Sequence, residues 1–133
     1  MARSGFNRIW QHRIQSLEAR DLHFPLEHGT GSDAVYSGAE YAFATTLLRS
    51  DDDLLGTGIA LTLGAGNELV CRTAGKQLVG RKIQDLRAEF GKVSCKISQH
   101  PELRWLGPHK GVVHLALALL TNALPFGSNV LLA

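Results

Sequence analysis

The hydrophobic pattern of the chain changes at Gly64-Ala65-Gly66 from the composition typical of strands to the spacing typical of helices. Three segments before this point are rich in apolar, aromatic and β-branched residues: Ile14 to Phe24, Tyr41 to Arg49, and Gly58 to Leu63. We expect a three-stranded antiparallel meander, because consecutive strands joined by turns pair in this way. In the first strand, Leu17, Ala19 and Leu22 are expected on the apolar face.

The second half of the chain has helical periodicity. Leu69, Val70, Leu78 and Val79 predict a first helix that stops at Gly80. The second helix carries an amphipathic stripe, formed by Ile83, Leu86, Phe90, Val93 and Ile97, and ends before His100-Pro101. Pro108 suits the first turn of a third helix, which runs to about Leu124. A meander followed by about three helices is an α+β fold.

Length and charge exclude several classes of protein. The chain has 133 residues, whereas a (β/α)8 barrel needs about 250. The net charge of +2 gives no electrostatic reason to expect a nucleic-acid partner. The longest apolar run, Val112 to Leu124, is shorter than the roughly 20 residues of a membrane-spanning helix, so we expect a buried helix and no membrane partner.

The reactive side chains form no recognisable catalytic or metal-binding pattern. Cys71 and Cys95 lie outside any CxxC pair, which favours two reduced thiols over a disulfide. The histidines lack metal-ligand spacing. Asp51-Asp52-Asp53 is interpreted as a solvated turn, because consecutive strand residues point to alternate sides. We therefore predict no catalytic residues, no metal ligands and no cofactor within this chain.

The Gly64-Ala65-Gly66 turn allows two interpretations. A glycine-rich turn before a helix can hold a phosphate group, but Leu69 stands where the third glycine of that fingerprint belongs. The favoured alternative is a tight turn in which Asn67 caps the helix and Glu68 complements its positive end.

The N-terminal segment, residues 1–13, contains no acidic residue and carries Arg3, Arg8 and Arg13. This composition is compatible with an ordinary tail in a cytoplasmic protein. The alternative is an organelle transit segment, which would make the protein mitochondrial.

Four segments together resemble a known family. They are Glu102 to His114, with the pattern RWLGP-x-KGV-x-H, then Gly56 to Glu68, Arg20 to Pro25, and Gly31 to Ala34. They resemble the N-terminal capping domain of L-fuconate dehydratases, in the mandelate racemase branch of the enolase superfamily. The resemblance covers residues 14–123, so residues 1–13 are assigned as a tail or transit segment and 124–133 as a divergent C-terminal tail.

The resemblance implies that the chemistry and the closure over the substrate belong to different domains. Family members remove water from sugar acids with Mg2+, which is bound by a C-terminal barrel, while the cap closes over the substrate. Gly31, Ser32, Asp33 and Tyr41 match cap positions that touch substrate, and Trp105 and Lys110 are interpreted as packing and interface residues. Two positions depart from the family: Gly38-Ala39-Glu40 replaces Asp-Pro-Asp, and His109 replaces Glu.

The resemblance breaks off after Ala123, where Leu124-Pro125-Phe126-Gly127 replaces a continuing helix with a Trp-Asp pair. We therefore expect a truncated capping and specificity domain of a sugar-acid dehydratase that is inactive without its barrel. Its expected partners are the missing barrel or a full-length relative. The alternative is a non-catalytic interaction module that docks on a dehydratase or on another protein.

Overall fold

The computed structural model describes residues 10–26, 31–32, 37–38, 40–62, 66–106, 111–124 and 130–132. The elements follow in this order: β1 (Ile14–Pro25), β2 (Gly31–Ser32), β3 (Ser37–Gly38), β4 (Glu40–Ser50), β5 (Leu54–Thr62), α1 (Asn67–Gly75), α2 (Ile83–Ser98), a 3-10 turn (Arg104–Leu106), α3 (Val112–Ala123) and β6 (Val130–Leu132). Three long strands therefore precede three α-helices, which confirms the predicted α+β fold.

The main sheet has the strand order β1-β4-β5-β6, and all of its neighbours are antiparallel. The first three of these strands are the predicted meander. Strand β6 adds a short fourth strand, which pairs with residues 54–56 at the start of β5. Strands β2 and β3 form a separate two-stranded hairpin within the connection from β1 to β4.

Helices α1 and α3 pack against one side of the sheet, which we call the inner face. Its side chains are small where α3 crosses it. A Cβ atom added at Gly56 would lie 1.8 Å from the carbonyl oxygen of Ala123, and one at Gly58 would lie 2.0 Å from that of Leu119. The backbone of α3 thus rests directly on the backbone of β5, which is possible only at glycine.

The same contact explains why β5 begins at Leu54, four residues before the predicted start at Gly58. Glycine is a poor strand former, so the sequence around Gly56 does not read as a strand. Here the tertiary contact with α3 requires glycine within the strand.

The helical stripes are mostly confirmed. In α2, Ile83, Leu86, Val93 and Ile97 are buried and Phe90 is partly buried. The first helix was predicted too long, because α1 ends at Gly75 instead of near Gly80. From there the chain continues in tight turns, with Leu78 N donating to Gly75 O at 2.9 Å. Pro108, the predicted start of the third helix, lies outside the described residues.

The opposite side of the sheet, which we call the outer face, carries large apolar side chains. Its members on the three long strands alternate with those of the inner face: Ser16, Glu18, Arg20, Leu22, Phe24; Tyr41, Phe43, Thr45, Leu47, Arg49; and Leu55, Thr57, Ile59, Leu61. The prediction that Leu22 shares a face with Leu17 and Ala19 is wrong. The alternation of a strand places Leu22 on the outer face, where it is exposed.

The segment before β1 contacts the start of α2. Ile83 N donates to His12 O and Gln84 N donates to Trp10 O, both at 2.9 Å. These bonds satisfy backbone groups that the first turn of a helix leaves without an internal partner. The remainder of the predicted tail, residues 1–9, lies outside the described residues. In the part of the chain that the structure describes, no helix combines the length and apolar character needed to cross a membrane.

Replacing Gly58 with alanine is expected to destabilise the fold by about 3 kcal/mol, because the new Cβ would collide with the α3 backbone. Chemical denaturation followed by circular dichroism measures the change. Gly91→Ala is the matched control: no atom lies within 4 Å of its added Cβ, and alanine in a helix is favoured by about 0.5–1 kcal/mol. Equal losses for both variants would contradict the close approach of α3.

Candidate functional site

Three of the four predicted substrate-contacting residues are described: two lie in the hairpin between β1 and β4, and the third lies near the start of β4. Gly31 and Ser32 form β2, in which Gly31 pairs with Gly38 and Ser32 with Ser37. Tyr41 lies near the start of β4, opposite Phe24 of β1. Asp33 lies outside the described residues. The structure therefore places a short hairpin in the connection from β1 to β4 and the tyrosine in the strand that follows it, and their role in substrate binding stays a prediction.

Tyr41 stands beside an aromatic cluster on the outer face. The rings of Phe24 and Phe43 pack edge to face, with centroids 5.7 Å apart and an interplanar angle of 78°. Tyr41 is 39% exposed, so its phenol is accessible to a ligand. Next to it, Glu40 Oε1 lies 3.1 Å from His23 Nδ1 across the strand pair. The outer face at this end of the sheet thus offers an apolar platform with a hydroxyl donor, while the carboxylate of Glu40 and the imidazole of His23 belong to the alternate positions, on the side of the inner face.

The positive end of α1 is occupied by a side chain from β1. Asp21 Oδ2 accepts a hydrogen bond from Gly66 N at 2.7 Å, and Asp21 Oδ1 accepts one from Glu68 N at 3.1 Å. A carboxylate in this position takes the place of an external anion. The glycine-rich turn is therefore used for an internal contact, which removes the phosphate interpretation.

The prediction that Asn67 is the N-cap residue of the first helix was wrong. Gly66 is the N-cap residue, with φ of 99°, and Asn67 is the first residue of the helix itself. Asp21 supplies the carboxylate from 45 positions earlier in the chain. The sequence contained a signal for this contact. Asp21 follows Leu17 and Ala19 in the strand alternation and therefore falls on the inner face, where a carboxylate without a partner would be costly.

Both cysteines are free in the structure, and one of them is unreactive for a physical reason. Cys71 is buried, and burial together with the nearby negative charge of Asp21 raises the pKa of its thiol from 9.0 to about 12. Since the thiolate is the nucleophilic form, Cys71 is a structural residue at neutral pH. Cys95 is exposed.

The Asp51–Asp53 run forms the turn between β4 and β5, as predicted, but two of its carboxylates converge on a histidine. His12 Nδ1 lies 2.8 Å from Asp51 Oδ1, and His12 Nε2 lies 3.1 Å from Asp52 Oδ2. The three ligand atoms lie within 4.8 Å of one another. Sequence reasoning missed this group, because His12 is distant in the chain.

This group does not fit the Mg2+ that the family resemblance implies. It lies at the opposite end of β4 from Tyr41, roughly 30 Å away at the rise of an extended strand. Mg2+ also prefers an octahedral set of oxygen ligands, which two carboxylates and an imidazole do not provide. The close contacts of Asp51 and Asp52 with the two ring nitrogens of His12 bring these carboxylates together.

Trp105 occupies the 3-10 turn between α2 and α3 and is 78% exposed. The guanidinium of Arg104 lies 4.8 Å from its ring centroid. Of the packing and interface role predicted for Trp105, the packing part is therefore wrong within the described residues. A large exposed aromatic side chain is typical of an anchor in a protein interface. Lys110 and His109 lie outside the described residues.

An antiparallel three-stranded meander followed by three helices on its inner face matches the N-terminal cap of enolase-superfamily proteins. No family model matches the chain. Its sequence relatives are members of this superfamily. The chain is 38% identical over 114 residues to L-galactonate dehydratase from Hypocrea jecorina, and 35% identical over 117 residues to human mitochondrial enolase superfamily member 1.

Solved structures agree with the sequence comparison. The crystal structure of the human protein covers 87% of this chain with a TM-score of 0.75 and 32% identity. L-talarate/galactarate dehydratase from Salmonella typhimurium, solved with Mg and L-lyxarohydroxamate, covers 62% of the chain with a TM-score of 0.52 and 20% identity, which supports the fold alone.

The coverage of the relatives is partial. The match takes in 83% of this chain but 25% of the L-galactonate dehydratase, and 84% of this chain but 26% of the human protein. The chain thus spans about a quarter of the length of the curated relatives it matches. The activity and substrates of the whole protein are therefore treated as proposals.

Asp21→Ala is expected to destabilise the chain by about 1–3 kcal/mol, because it leaves the amides of Gly66 and Glu68 without their acceptor. Thermal or denaturant unfolding measures the loss. Glu102→Ala, which removes an exposed acid from the turn between α2 and the 3-10 segment, should change stability by no more than about 0.5 kcal/mol. A loss of stability for Asp21→Ala no larger than that for Glu102→Ala would show that the contact of Asp21 with the start of α1 does not stabilise the chain.

Proposed function

We propose that this chain is the capping and substrate-specificity region of a Mg2+-dependent sugar-acid dehydratase, and that it does not catalyse the reaction by itself. The observation that supports the proposal most strongly is the agreement of sequence and fold over most of the chain. Sequence relatives that are dehydratases or enolase-superfamily members match it, yet it spans only a quarter of their length.

The part of the reaction assigned to this chain is recognition of the substrate. Ser32 and Tyr41 carry hydroxyl groups, and Asp33 carries a carboxylate, which together offer donors and acceptors to the hydroxyls of a polyol acid. Gly31 permits close approach of the backbone to a ligand. Closure of such a hairpin over a bound sugar acid would exclude water from it.

Mg2+ supplies charge stabilisation for a substrate carboxylate when it is bound in the complete enzyme. We assign its ligands to residues outside this chain, because the acidic group that the structure does describe, His12 with Asp51 and Asp52, lies at the wrong end of the sheet. This chain contributes binding and orientation.

The proposed substrate is L-fuconate, and L-galactonate is its nearest rival. The two acids differ only at C6, where L-galactonate carries a hydroxyl that L-fuconate lacks. The relative named L-galactonate dehydratase supports the class of six-carbon sugar acids as a whole. Discrimination at C6 is a task for a specificity region, because a pocket that hydrogen-bonds a hydroxyl strongly rejects an analogue without it.

For the compartment, we propose the cytoplasm, with the mitochondrion as the alternative. The basic, acid-free residues 1–13 and the word mitochondrial in the name of the human relative support the alternative. Import of a fusion of residues 1–30 to a fluorescent protein would distinguish the two.

A chimera tests the proposed activity. Residues 14–123 replace the corresponding part of the Hypocrea jecorina enzyme, and formation of the 2-keto-3-deoxy acid from L-fuconate and from L-galactonate is measured. We expect turnover by the chimera, with a changed preference between the two acids, and none by the isolated chain with Mg2+. Tyr41→Phe should raise KM by about threefold to tenfold, the worth of one hydrogen bond. Thr57→Val, which removes an exposed hydroxyl far from the hairpin, is the control.

Two results would contradict this assignment. Turnover by the isolated chain would place catalytic groups within it. A folded, active chimera with the preference and KM of its parent, whether or not Tyr41 is replaced, would remove the specificity role.

The exposed Trp105 favours a second candidate function, that of a non-catalytic module that docks on a full-length dehydratase. In a pull-down with the purified full-length relative, we expect Trp105→Ala to weaken capture by at least about 30-fold, since truncation of a central aromatic anchor costs about 2 kcal/mol or more. Leu69→Ala, at a similarly exposed apolar side chain on α1, should leave capture unchanged. Failure of the unmodified chain to bind would exclude docking.

A further inference from the structure

The two middle rows of the outer face have a pattern that is complementary to itself. In the register of the sheet, Arg20 pairs with Thr45 and Thr45 with Ile59, which forms one row across three strands. In the adjacent outer-face row, Glu18 pairs with Leu47 and Leu47 with Thr57. From β1 through β4 to β5, the side chains of the first row are basic, small and large, and those of the second row are acidic, large and small.

A two-fold axis can be placed between these rows, in the plane of the interface and perpendicular to the strands. This axis exchanges the two rows, and each strand then faces the same strand of the second copy. Glu18 then faces Arg20 of the second copy. Leu47 faces Thr45 on the middle strand, and Ile59 faces Thr57 on β5. Every position in the centre therefore meets either the opposite charge or a side chain of complementary size.

The next rows outward fit the same operation. Leu22, Phe43 and Leu61 form one of them, and Ser16, Arg49 and Leu55 form the other. The axis sets Leu22 over Ser16, Phe43 over Arg49, and Leu61 over Leu55. Large again meets small on β1, two leucines meet on β5, and an arginine stacks on an aromatic ring on β4, which is a favourable contact.

The surface already has the shape that this packing needs. A depression of about 380 Å3 lies at the centre of the outer face and is lined by both middle rows. Thr45 and Thr57 provide its short side chains, and these are the two positions that the axis places beneath Leu47 and Ile59 of the other copy. Ile59 and Leu61 are 62% and 51% exposed in the single chain.

The area is sufficient for a specific but moderate interaction. Strands spaced about 4.8 Å apart and paired over some nine residues give roughly 1,000 Å2 buried in total, at the lower limit for specific interfaces. Sheets that pack face to face keep their strands within about 30° of each other, so the central rows remain in register.

From this geometry we propose that two copies of the chain associate through their outer faces about a two-fold axis between the Glu18 and Arg20 rows. The apolar pairs supply the affinity, and the charges select the register, because exposed ion pairs contribute little energy but like charges in contact repel. The proposal stands apart from the dehydratase function, since it uses neither the hairpin nor a ligand.

Analytical ultracentrifugation of the purified full chain tests it. We expect a monomer–dimer equilibrium with a dissociation constant in the micromolar range, and no species beyond the dimer. Ile59→Asp should raise that constant at least about 100-fold, because the substitution places a carboxylate in the interface twice. Leu69→Asp, at a 59% exposed leucine on α1, should leave the constant unchanged.

An exchange of the two charges tests the register of the proposed interface and distinguishes a specific dimer from non-specific association. Glu18→Arg alone and Arg20→Glu alone should each dimerise at least about tenfold more weakly. An equal mixture of these two variants should recover the unmodified affinity as a heterodimer, because each then presents the charge that the other lacks. The double exchange, with both substitutions in one chain, should also recover it.

Four results would overturn the proposal: a monomer at every concentration, open-ended oligomers, a dimer insensitive to Ile59→Asp, or a mixture that fails to pair. A monomer whose capture by a full-length relative is abolished by Ile59→Asp would assign the outer face to the remaining polypeptide of the relatives instead. Circular dichroism of each variant confirms that the fold is retained.

Discussion

The contact on which the rest of the structure depends is that of the α3 backbone with β5. Gly56 and Gly58 bring the strand so close to the carbonyls of Ala123 and Leu119 that no side chain fits between them. The hydroxyl of Thr46 adds a hydrogen bond to Leu119 O at 3.2 Å. Because α3 lies so close to the sheet, its apolar residues contact the inner face, and α1 packs beside α3 and against β1. Interiors this dense tolerate little change in volume.

This close packing has a consequence for the other side of the sheet. The inner face is built from alanine, glycine and threonine where the helices cross it, so the large side chains of the same strands fall on the outer face. A strand with one solvated face normally alternates between apolar and polar residues. Here both faces are apolar at many positions, and an uncovered patch of this kind marks an interaction surface.

The candidate functional end of the sheet is separated from these contacts by its position along the strands. The connection from β1 to β4 contains the β2–β3 hairpin, and Tyr41 follows it near the start of β4. Asp21 ties β1 to the start of α1 shortly before β1 ends at Pro25. Binding residues are often carried by connections that a rigid scaffold holds in place. The proposed role, in which this chain selects the substrate, assigns recognition to this connection and to Tyr41.

Local patterns in the sequence were enough to predict the class of fold, because strand alternation and the i, i+3, i+4 helical stripe depend on neighbouring residues. The stripe from Ile83 to Ile97 and the turn at Asp51–Asp53 appeared where they were expected. Resemblance in four segments, rather than periodicity, indicated the superfamily. The early start of β5, the end of α1 at Gly75 and the position of Leu22 could not be predicted in this way.

For the site, the sequence determined which side chains were present and which segment held them. Only the tertiary structure decided that Asp21 caps α1, that His12 meets Asp51 and Asp52, and that Glu18, Arg20, Leu47 and Ile59 share one face in complementary rows. The physical reason is that these contacts join residues far apart in the chain. The sequence specifies the chemistry of each partner, but the register of the strands and the packing of the helices determine which partners meet.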